Sequence, residues 1–130
     1  MSGAPDAFEK VQRLRLQRDE LAGADAALRE EYQYLADIAA RTWAHILTGT
    51  RLQQHPRFAH DLTPENVLTF SRDELSVHGV DLGTLRECVD ARARLPLVQE
   101  RRTAIHADLA PLAQLVRSLE KHLAEQGATA

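Results

Sequence analysis

The sequence predicts an all-α protein: two long amphipathic helices, one near each end, folded into an antiparallel coiled-coil-like hairpin with short helices between them. Three observations carry that expectation. Leu14, Leu21, Leu28 and Leu35 form an unbroken leucine row at seven-residue spacing. The last third alternates four and three through Val98, Arg102, Ile105, Leu109, Leu112, Val116, Leu119 and Leu123. Finally, Ala, Leu, Arg, Glu and Gln dominate the composition while aromatics make up 5%, which is helix-forming chemistry. At 130 residues the chain has the length of a single helical domain, 1–130.

The first helix is expected over 6–48, opening at Pro5-Asp6. With the leucine row at one heptad position, the other seam position holds Val11, Arg18, Asp25, Tyr32, Ala39 and Ile46. The stripe broadens over Ile38, Trp43 and Leu47, as a straight helix drifts against a strict heptad. At about 1.5 Å per residue such a helix is roughly 60 Å long. Gly49 is placed to stop it.

Residues 49–95 read as a knob of short helices. The stretch Thr50 to Asp61 is irregular, with turns at His55-Pro56 and His60-Asp61. Helix starts then follow in quick succession. Thr63-Pro64-Glu65 places an N-cap before a proline at the first helical position. Ser71 with Glu74 has capping-box spacing, and Asp81 caps a third start. Leu62 with Val67, Phe70 with Leu75, and Val80 with Leu85 are spaced as hydrophobic staples across these starts. Gly79 ends the middle helix.

Pro96 is expected to break or restart the chain before a last long helix over 96–126, kinked near Pro111. In the hairpin Arg102 is expected opposite the Glu31 to Leu35 region, with Glu31 as its acidic partner. Because two helices bury only one stripe each, a helical bundle on homodimerisation is expected. Its interface, for oligomer or partner, is assigned to Leu14, Leu21, Leu28, Leu35, Ile38 and Trp43, with Phe8, Leu16 and Tyr34 also apolar outside the seam.

Chemistry-bearing motifs are scarce. The net charge of −3 gives no global field for nucleic acid. The single cysteine, Cys88, excludes an internal disulfide and reads as a small buried apolar side chain. His55 and His60 beside Asp61 resemble half of a ligand set, yet no HExxH or cysteine-pair spacing completes it, so no metal is expected. No phosphate loop or nucleophile elbow is present, so neither an enzyme nor a bound cofactor is expected. The N-terminus lacks signal-peptide regions and no apolar run is of spanning length, which points to a cytoplasmic protein without membrane contact. Basic residues are nearly all Arg, as in a GC-rich, bacterial genome.

The function that fits is a small cytoplasmic helical protein–protein interaction module: an adaptor, assembly factor or regulator that acts through coiled-coil association. Its partners would be itself and an unidentified protein. The alternative is a nucleic-acid-associated protein of phage or mobile-element origin that uses clustered arginines, with Arg92, Arg94 and Arg101 as contacts. An unrecognised enzyme, its site assembled across subunits, is the second alternative.

Overall fold

The computed structural model describes residues 3–50, 52 and 62–129. Four helices are present and no strand occurs among the described residues. Helix α1 spans Gly3–Gly49, α2 Pro64–Leu68, α3 Arg72–Val77 and α4 Leu82–Thr129. The long helices α1 and α4 pack against each other as an antiparallel hairpin, with the short helices between them in sequence. The expected turns at His55-Pro56 and His60-Asp61 lie outside the described residues.

The chain forms two compact units. The first joins residues 1–30 to 99–130, and the second is 31–98. In the first unit α1 and α4 face one another, and among the described residues Val11 and Val116 are its buried apolar side chains. The second unit has a fuller core: Ile46, Leu52, Val67, Phe70, Leu75, Val80 and Leu85 pack together. Trp43, Leu62, Leu68, Leu82 and Val89 pack against that cluster.

Capping chemistry explains why the short helices begin and end where they do. The Thr63 hydroxyl accepts the Asn66 N–H at 3.2 Å, with Pro64 in the first turn of α2. At α3 the Ser71 hydroxyl accepts the Glu74 N–H at 3.2 Å and donates to the Glu74 carboxylate at 3.4 Å. The exchange is therefore between side chains, where a standard box returns to the backbone of the cap. Gly79, at φ 74°, closes α3 in the left-handed region. The Val80 N–H then reaches the Leu75 carbonyl at 2.8 Å, and the Gly79 N–H reaches Ser76 at 3.0 Å. That is a Schellman pattern whose apolar pair, Leu75 and Val80, lies in the core. Asp81 accepts the Thr84 N–H at 3.1 Å and so caps α4. All three staples place their side chains in or against the same core cluster.

Two expectations need correction. Helix α4 begins at Leu82 and runs through Pro96 and Pro111 without a break, so Pro96 starts nothing. Each proline deprives one carbonyl, of Arg92 or Ala107, of its helical partner. Both prolines are exposed, which leaves those carbonyls to water. Ala91 and Val98 meanwhile hold the buried face across Pro96.

The second correction concerns register. Arg102 pairs with Asp25, at 3.1 Å, and Glu31 pairs with Arg94 at 3.4 Å. The partner of Glu31 thus sits about two turns earlier on α4 than expected.

The end of α1 also differs from the expected glycine cap. Gly49 closes the helix without a positive φ, and the Thr50 hydroxyl donates to the Ile46 carbonyl at 2.7 Å.

Core and cap contributions separate by size. Leu85→Ala, at a fully buried position, is expected to cost about 2–5 kcal/mol of stability. Thr63→Ala, removing one N-cap bond, is expected to cost about 1 kcal/mol. Urea unfolding followed by circular dichroism measures both, and equal losses would contradict this account.

Candidate interaction surface

The seam of the first unit is covered from one side only, because two helices alone offer each other a single stripe. Leu14, Leu21 and Leu28 are half-buried, as are Ile105, Leu109, Leu112, Leu119 and Leu123 opposite. Phe8, Leu16 and Leu115 lie further out, at 56%, 60% and 43% exposure. In the second unit Leu35 is buried and Ile38 is half-buried. Trp43, expected on a contact face, is half-buried and packs against the core cluster. Tyr34, Leu97 and Val77 remain exposed in this unit.

Charged residues interrupt the seam at Arg18, Asp25 and Arg102, and each finds a partner. Asp25 Oδ1 accepts from Arg102 Nε at 3.1 Å and lies 2.9 Å from His106 Nε2. The Asp25 and Arg102 side chains are 19% and 20% exposed, whereas His106 at the edge of the group is 55% exposed. Hydrogen bonds from His106 and Arg102 hold the Asp25 carboxyl below its ordinary range, against a smaller opposing effect of burial. Arg18 turns to Asp19 at 3.3 Å and approaches Glu120 at 4.0 Å, while Arg15 Nε donates to Glu120 at 2.9 Å. No buried side-chain nitrogen or oxygen lacks a partner among the described residues.

His106 was not singled out by its sequence context. The signal was present: it stands four residues after Arg102, on the same face of one helix.

The arginines assigned to nucleic acid fall into two classes. Arg92 Nε donates to Glu65 at 2.7 Å and Arg94 bonds Glu31. Arg101 is exposed and makes no ion pair among the described residues. Burial pushes the Glu65 carboxyl up, but the hydrogen bond from Arg92, with one from the backbone, brings it below the usual value. The Thr84 hydroxyl and N–H likewise hold the Asp81 carboxyl low.

A shallow open cleft of about 250 Å³ in the second unit is lined by Ile38, Arg41, Thr42, His45, Thr84 and Glu87. Its Arg41 is already tied to Asp37 at 2.9 Å. Among the described residues no three His, Cys, Asp or Glu side chains are gathered to hold a metal ion; His55, His60 and Asp61 lie outside those residues. Cys88 is fully buried, its thiol 3.4 Å from the Ala39 carbonyl. No helix is long and apolar enough to cross a membrane among the described residues.

The sign of the acid response follows from Asp25. A carboxyl whose folded pKa lies below its unfolded one contributes stability above the unfolded value and loses it as pH falls through the folded value. Stability is therefore expected to drop below the ordinary Asp value of 3.8, with Glu65 and Asp81 contributing in the same direction. Asp25→Asn is expected to flatten part of that slope. Thermal melts of both proteins across the acid range measure it, and parallel curves would remove Asp25 from the account.

Comparison with protein-family models, with curated proteins and with solved structures finds no match in any of the three.

Proposed function

We propose that this protein is a small cytoplasmic helical interaction module, an adaptor, assembly factor or regulator that associates with itself and holds a larger partner through its helical faces. One observation carries the reading: the two-helix unit leaves its own apolar side chains incompletely covered. Phe8, Leu16 and Leu115 are exposed, and the seam leucines are half-buried. Covering such side chains is worth about 25 cal/mol per Å² removed from water, so an added helix has a favourable place to pack. Scattered exposed leucines are ordinary on any surface. Several on one unit with so small a buried core of its own are less so.

Electrostatics support protein over nucleic acid as the partner. Arg92 and Arg94 are already neutralised by carboxylates, and the chain carries a net charge of −3. A polyanion would have to displace Glu65 and Glu31 to gain those contacts.

Sedimentation equilibrium from micromolar to millimolar concentration is the direct test. The expected result is a concentration-dependent rise from the 14.5 kDa chain mass toward twice that value. A constant 14.5 kDa mass across the whole range would remove self-association from the proposal.

A further inference from the structure

We infer that self-association pairs two exposed patches of α1 between copies: Glu9, Arg13 and Leu16 of one copy against Arg41, Asp37 and Tyr34 of another. The inference rests on the self-association reading above and names the surface that reading leaves open.

Each patch lies within one unit, the first in residues 1–30 and the second in 31–98. Every side chain involved faces solvent. Leu16 and Tyr34 are 60% and 63% exposed, and Glu9, Arg13, Asp37 and Arg41 are also exposed. The first patch reads acid, base, apolar at spacings of four and three, which puts all three on one helical face. Read backwards from Arg41, the second gives base, acid, aromatic at the same spacings of four and three. Laid antiparallel, the patches set Glu9 against Arg41, Arg13 against Asp37, and Leu16 against Tyr34. Both ionic pairs are of opposite sign, and the apolar pair falls in register with them.

Asp37 and Arg41 already bond each other within α1 at 2.9 Å. That does not compete with the contact. A guanidinium has five N–H donors and a carboxylate two acceptor oxygens, so each keeps capacity for a second partner. The next position inward on the same row opposes Glu20 to Glu30, a like pair. Association through this face is therefore weak and sensitive to salt.

Charge exchange in the full-length chain tests the pairing by sedimentation equilibrium, with circular dichroism as the check on folding. Arg13→Glu alone, or Asp37→Arg alone, is expected to weaken association by about tenfold, since each replaces attraction by repulsion. The double variant R13E/D37R is expected to recover most of the wild-type affinity. The pair E9R and R41E provides the same cycle at the second position should either first variant fold poorly. Weakening by the singles without recovery in both doubles would overturn the pairing. Wild-type association untouched by any single would overturn this surface and leave self-association standing. A wild-type chain that stays monomeric at millimolar concentration would overturn both.

Discussion

The constraint from which the rest follows is that two helices can cover each other along one stripe only. A residue on that stripe is screened by the facing helix and remains open at the flanks. In the first unit this leaves valines buried only at Val11 and Val116 and leucines half-buried in between. The same openness lets Arg18, Asp25 and Arg102 occupy seam positions. In a fully enclosed core each would carry a desolvation penalty of several kcal/mol. Here the flank supplies water to part of each side chain, and the facing helix supplies the counter-charge.

The second unit escapes the constraint by adding helices. Ile46 of α1 joins Val67 of α2 and Leu75 of α3 in one buried cluster, against which Trp43 and Val89 pack. Short helices have little intrinsic stability, because each nucleation fixes several dihedrals for few bonds. Their ends therefore carry unusual weight: Thr63, Ser71 and Asp81 each accept an otherwise orphaned N–H, and Gly79 closes the Schellman turn. The staple residues join the caps to the core, so local and tertiary interactions reinforce one another.

Most of this was legible in the sequence where the determinant is local. Caps, staples and the glycine turn depend on residues within a few positions of each other, and they fall where the spacing puts them. The leucine row likewise predicted which face of α1 meets α4. What sequence could not supply were quantities set by distant chain. Pro96 looks like a boundary until it is known that it faces water and that Ala91 and Val98 hold the other side. The partner of Arg102 is Asp25, not Glu31, and it is set by how two distant stretches of chain align, which no local spacing encodes. Of the surface itself, the sequence marked Leu16 and Tyr34 as apolar outside the seam, but their exposure is a property of the fold.

The ion pairs bear on specificity more than on stability. Exposed pairs such as Arg92 with Glu65 contribute little each, since water competes for both groups. Their positions nevertheless discriminate between registers. A shift of one turn would separate Asp25 from Arg102, leaving the partly shielded guanidinium without its carboxylate, and in their own unit would separate Glu31 from Arg94. A purely leucine seam would tolerate that slip, because one leucine replaces another at each step. Charged interruptions make the slipped states costly while weakening the correct one slightly, as a polar residue does in a coiled coil. Each unit thereby exchanges some burial for a defined alignment of its own stretch of α1 with its own stretch of α4.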